Sequence, residues 1–173
     1  NYGTSTYLYA GESNTGTSLS RSLIGFDLAS IPSNATITSA SIHLWVARDF
    51  SSNARNFCLY RTRHNWVESL ATWNVYAVDW QTAGASGAND VDATPAGPCV
   101  TFSASEVPGT EKVFPLTPSM LEEMIDGTVS NQGWLLKPNT ESNDQYGFYS
   151  SDNALAAYRP KLVFYYTMPE DLT

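Results

Sequence analysis

The chain has 173 residues and carries 9 Lys and Arg against 17 Asp and Glu, a net charge of −8 at pH 7. Its 42% hydrophobic content is ample for a core and excludes wholesale disorder. The acidic balance argues against nucleic acid, whose binders carry a basic stripe, and no apolar run reaches the roughly 18 residues of a membrane span.

Taken in chain order, residues 7–10 read as a short strand closed by Gly11. Residues 20–28 alternate, with Ser22, Ile24, Phe26 and Leu28 on one face, the expected core face. A turn at residues 31–35 follows, with Pro32 fixing the backbone. The clearest strand covers residues 39–47, where Ile42, Leu44 and Val46 alternate with His43 and Trp45. Residues 56–62 form another, with large groups on both faces. Residues 64–85 lack periodicity but hold Trp66, Trp73 and Trp80, so they read as a long ordered loop pinned by aromatics. A Gly-, Ala-, Asp- and Pro-rich surface loop continues to residue 98.

Strands are expected at residues 100–102 and 111–116. One helix is signalled after them: Thr117 can cap it, Pro118 suits the first position, and Gly127 suits the stop. Met120, Leu121, Met124 and Ile125 give it an apolar stripe. Three more strands are expected near residues 133–137, 145–150 and 161–166. Nine or ten short strands and one short helix predict an all-β, jelly-roll-like antiparallel β-sandwich over residues 1–166, with 167–173 as a tail or linker. The chain starts at Asn1 without Met, inside what reads as a loop, so an upstream segment is expected.

Charged residues make up only 15% of the chain, against roughly 25% in a typical soluble domain. A surface of Ser, Thr, Asn and Gly follows, of a kind common outside cells. Cys58 and Cys99 lie too far apart for paired zinc ligands. They read either as one disulfide, in an oxidising compartment, or as two buried thiols. Asp90 and Asp92, in a loop, are the best candidates for a structural calcium ion, though no Asp-x-Asp-x-Asp-Gly loop exists. His43 and His64 are the two histidines, and no Gly-x-Ser-x-Gly elbow accompanies them. Catalysis is therefore not expected, and neither is a cofactor.

Several motifs recur together: Arg21-Ser-Leu-Ile-Gly-Phe-Asp-Leu-Ala-Ser-Ile-Pro32, Ala35-Thr-Ile-Thr-Ser-Ala40, Trp66-x-Glu68 with Thr72-Trp73-Asn74, Gly133-Trp-Leu-Leu-Lys137, Phe148-Tyr-Ser-Ser151 and Arg159-Pro-Lys-Leu162. This set resembles the DNRLRE domain, also described as the disaggregatase-related module, which overlaps a family of carbohydrate-binding modules. The resemblance runs from Asn1 to about Tyr166. It implies an extracellular sandwich serving as an accessory to polysaccharide-active enzymes, adhesins or large surface proteins. Members usually carry one further strand before the Asn-Tyr-Gly start, so this chain is expected to leave a sheet edge open to strand addition by a neighbouring subunit.

Two readings of Trp66, Glu68, Thr72, Trp73 and Asn74 are open. They form a sugar platform, or the tryptophans staple the loop to the sandwich and Glu68 ties down backbone N–H groups. The second is favoured, because the motif belongs to the family pattern whatever the ligand. Trp45, on the presumed outer face of its strand, and Tyr76 and Trp80 are further contact candidates. Arg61, Arg63 and Lys137 suit the carboxylates of an acidic polysaccharide, or pair with the chain's own acids. The expected function is a non-catalytic carbohydrate-binding or adhesion module at a cell or virion surface. The alternative is a structural block of a virion decoration, tail fibre or surface filament.

Overall fold

The computed structural model describes residues 2–16 and 18–169. Residues 1, 17 and 170–173, the last four of which belong to the expected tail, lie outside the described residues. The chain folds as an all-β sandwich with one short helix. The strands are β1 (Tyr7–Glu12), β2 (Leu19–Ser20), β3 (Ser22–Ile24), β4 (Thr36–Asp49), β5 (Arg55–Arg61), β6 (Val100–Phe102), β7 (Glu111–Leu116), β8 (Trp134–Pro138), β9 (Tyr146–Tyr149) and β10 (Lys161–Thr167); α1 (Pro118–Ile125) follows β7. The larger sheet runs β10-β4-β9-β1-β2, with β7 also on β4; the smaller runs β3-β8-β5-β6. Every pairing between these strands is antiparallel.

The alternation in the sequence becomes the interior. Ile42, Leu44 and Val46 of β4 are fully buried and face Phe57 and Leu59 of β5 and Trp134 and Leu136 of β8 in one core. At its centre Phe57, Phe102 and Tyr146 interlock, with ring centres 4.7 to 5.3 Å apart. Each such pair adds about 0.5–1.5 kcal/mol beyond the area it buries. The Tyr146 hydroxyl donates to the Ser103 carbonyl and accepts from Ser51. Burial and the carboxylates of Asp49, Glu106 and Asp144 push this phenol up to about 12, against the lowering effect of Ser51.

Several boundaries differ from expectation. The single strand expected at residues 20–28 divides and stops early: β2 belongs to the larger sheet and β3 to the smaller, with Arg21 between them, and residues 25–28 are not strand. The Ser22 hydroxyl bonds the Tyr9 carbonyl where the chain changes sheets. Ser22, Ile24 and Leu28 are buried as the alternation requires, and Phe26 is half-buried against the core. Gly11 does not close β1 but lies within it at φ 105°, where a Cβ would collide with the Asp144 backbone. Thr117 stands at the N-cap of α1 without a capping side-chain bond, while Pro118 opens the helix and Gly127 follows it at φ 84°. β10 reaches Thr167, one residue into the expected tail.

A third layer covers one side. Leu23, Leu135 and Tyr60 are cross-strand neighbours on the outer face of the smaller sheet. On this row the loop of residues 63–98 lays Trp80, Ala85 and Val91 to form a second apolar cluster. Cys58 and Cys99 form a disulfide that closes the base of this loop, across a sequence separation of 41 residues.

Candidate functional site

The aromatics of the 63–98 loop are mostly fasteners. Trp80 is buried (6% exposed) and donates its indole N–H to the Thr72 carbonyl. Trp66 donates to the Gln132 carbonyl at 2.6 Å and lays its ring edge over Gly25. Tyr76 stacks on His64 with ring centres 4.2 Å apart. Asn74 accepts the Trp80 backbone N–H through its carbonyl and keeps its side chain exposed. Glu68 is exposed, and its backbone carbonyl lies against Gly3. Trp73 remains 38% exposed, with the Arg21 guanidinium 5.0 Å from its ring centre. Gly84 passes so close beneath that ring that a Cβ would not fit.

Asp90 organises the same loop. Its fully buried carboxylate accepts N–H bonds from Gln81, Thr82 and Gly87 and faces His64 Nε2 at 3.2 Å. Burial alone would raise its pKa; these four partners outweigh it and hold the carboxyl below the ordinary range. Asp92 bridges Arg61 (2.7 Å) and Arg63 (3.0 Å), and Arg61 also reaches Glu123. Both oxygens of each aspartate, the residues expected to hold calcium, thus serve protein donors. Among the described residues no three His, Cys, Asp or Glu side chains stand close enough to hold a metal ion. Arg61 and Arg63 pair with the chain's own acids rather than standing ready for a ligand's carboxylate. Among the described residues Lys137 has no carboxylate within ion-pair distance; its Nζ lies 4.9 Å from the Tyr60 ring centre, and burial, then the Arg21 charge, lower its pKa while Glu141 raises it.

Trp45 is a correction. It lies on the outer face of its strand as expected, yet it is only 9% exposed, because Lys161 of β10 extends over its ring at 4.9 Å. Cross-strand cover hides it, which no reading of β4 alone can reveal.

The larger sheet's outer face, by contrast, bears a row of half-buried rings. Phe50, Tyr9, Tyr7, Tyr149 and Tyr158 follow one another at centre-to-centre distances of 6.4, 6.5, 5.9 and 4.9 Å. The row arises from register: Tyr7 opposes Tyr149 and Tyr9 opposes Gly147, whose missing side chain leaves space for the Tyr9 ring. Among the described residues none of these four tyrosine hydroxyls has a protein partner. Arg48 lies 4.7 Å above Tyr7 and, among the described residues, makes no ion pair. Lys161, on the same face, makes none among them either. Arg159, exposed and next to Tyr158 in the chain, bonds the Asn153 carbonyl. In a chain of net charge −8, one cation lies on the aromatic row and another over Trp45 on the same sheet face. Sequence reasoning missed the row because its members come from β1, β9 and two loops. The signal available was the alternation of Tyr7 and Tyr9 with Leu8 and Ala10.

The same face holds a hydrogen-bonded Ser-His-Glu arrangement: Ser41 Oγ is 2.9 Å from His43 Nε2, and His43 Nδ1 is 2.7 Å from Glu111. Acyl transfer also needs donors aimed at the developing oxyanion. Ser41 lies mid-strand, paired on both sides with Val163 and with Pro115, which has no N–H to offer. The arrangement orders three side chains on the outer face of the larger sheet.

The fold and this face define an all-β sandwich module of two antiparallel sheets with an aromatic outer surface. The chain matches the family model described as Disaggregatase related repeat domain over residues 1–164, and it belongs to that family. No curated protein matches it.

Proposed function

We propose that this chain is a non-catalytic extracellular module that binds acidic polysaccharide along the outer face of the larger sheet. The observation that carries the reading is the run of five rings with Arg48 over Tyr7, on a sheet face that also holds Lys161. Tyrosine faces stack on the C–H faces of sugar rings, and their hydroxyls meet the sugar hydroxyls. An arginine whose fork is unengaged offers two parallel hydrogen bonds to a carboxylate or sulfate. Tyr7, Tyr9 and Tyr149 rise from paired strands, so little order is lost when they bind. The Cys58–Cys99 disulfide supports an oxidising location such as a cell or virion surface.

Affinity electrophoresis tests this with alginate, pectate and a neutral β-glucan. Retardation by the two polyuronates, abolished in a Tyr7→Ala/Tyr149→Ala double variant of unchanged fold, is the expected result. A folded wild-type chain retarded by none of the three glycans sinks the reading.

The structural-block alternative draws on one observation. β10 is an edge strand, and Tyr165 (67% exposed) and Tyr166 (44% exposed) stand bare upon it. Sedimentation as a monomer at high concentration argues against strand addition there.

A further inference from the structure

A second recess lies where β3 ends and β8 begins. It has a volume of about 140 Å³ and is open to solvent. Trp66 and Phe26 supply its rings, and Asn65, Asn131 and Gln132 its amides. No charged side chain lines it. We propose that this recess binds one uncharged sugar ring, a chain end or branch, independently of the aromatic row on the larger sheet.

Three features support the assignment. The Trp66 ring is fixed by its N–H bond to the Gln132 carbonyl and by packing against the second apolar cluster. Phe26 is fixed by its edge contact with Trp134, ring centres 6.1 Å apart. A ligand therefore meets preformed surfaces, which reduces the ordering cost of binding. The amides supply the polar half. Asn131 is held by its bonds with Phe26 and Gly133, while the Asn65 and Gln132 side chains make no hydrogen bond among the described residues. Each uncommitted amide offers two donors and an acceptor, the complement of vicinal hydroxyls. Size and charge narrow the ligand. The recess is well below the roughly 300–1,000 Å³ of clefts that enclose drug-sized ligands, so it admits one small ring. Without a cation, it gives a carboxylate no counter-charge. A larger cleft of about 360 Å³, at Asn56, Thr101, Asn139 and Thr140, has no ring in its lining and lacks this combination.

The test is a nitrogen-15 NMR titration of the whole chain with methyl β-glucoside, methyl β-galactoside and N-acetylglucosamine. At least one of them is expected to shift the Asn65 and Gln132 side-chain amides and the Trp66 indole N–H saturably. An Asn65→Ala/Gln132→Ala variant, which removes two surface amides and leaves the Trp66 fastening intact, is expected to bind at least tenfold more weakly with unchanged melting. A Tyr7→Ala/Tyr149→Ala variant is expected to bind these sugars as well as the wild type. The proposal is overturned if no sugar of the three shifts those signals, if the amide variant binds as tightly as the wild type, or if the tyrosine variant loses the response. Polyuronate retention reads the other face separately, so the two proposals fail by different measurements.

Discussion

The two outer faces of this sandwich carry similar side chains put to opposite uses. Over the smaller sheet, Trp66, Trp80 and Tyr76 are turned inward by a long loop and become the upper half of a second core. Over the larger sheet, Tyr7, Tyr9, Tyr149 and Tyr158 stand on the outer face and stay partly exposed. A ring's role here is set by what lies above it, not by its type. The covered face also contains the tightest polar anchor, the buried Asp90 carboxylate with its four partners. On the other face, Arg48 and Lys161 lie on rings, and among the described residues neither has a carboxylate partner.

Substitutions on the two faces should therefore separate stability from binding. The largest effect is expected from Asp90→Ala, which strands buried N–H donors and costs about 3–5 kcal/mol in urea unfolding. A loss below about 1 kcal/mol would mean that the loop holds without this anchor. The same group carries a pH signature. Its folded pKa is depressed, so its contribution is complete above the ordinary Asp range, near 3.9, and is lost as pH falls through the lower folded value. Asp90→Asn should flatten the acid limb of a melting-temperature profile, and an unchanged limb would assign acid unfolding to other groups.

Opening the disulfide comes next. A Cys58→Ser/Cys99→Ser chain releases the closure of a 41-residue separation and should lose about 2–4 kcal/mol by thermal unfolding. Polyuronate binding, on the other face, should persist in whatever fraction stays folded, and its loss at full folding would tie the two faces together.

On the larger sheet's outer face the order reverses. Tyr149→Ala should weaken polyuronate binding about tenfold, or ~1.4 kcal/mol, with little change in melting temperature. Arg48→Ala with Lys161→Ala should weaken it several-fold and flatten its dependence on salt, since exposed charges are screened beyond about 8 Å at physiological ionic strength. Full salt dependence in that variant would place the charge contacts elsewhere. The smallest effect is expected at Ser41: the wild type should take no label from a fluorophosphonate probe, and Ser41→Ala should melt within about 0.5 kcal/mol of it. Labelling that requires His43 would contradict the non-catalytic reading.

Much of the framework was legible because it depends on local period. Ile42, Leu44 and Val46 alternate, and a strand must put such a set on one face. Thr117, Pro118 and Gly127 mark a helix by backbone chemistry, although the Thr117 side chain makes no cap bond. The loop was legible as ordered, since three tryptophans in 22 residues between 64 and 85 are too apolar to stay solvated. The candidate site was less legible. Trp45 looks exposed in β4 and is hidden by Lys161, whose position 116 residues later is a matter of pairing. Asp90 and Asp92 look like ligands for a hard cation, but the loop turns N–H groups and arginines onto them.

By itself the sequence determined which residues avoid water, because hydrophobic alternation and turn chemistry act within a few positions of the chain. Only the tertiary structure decided which rings and charges remain available to a partner. That depends on register between distant strands, such as Tyr7 with Tyr149 and Tyr9 with Gly147, and on which outer face the long loop covers.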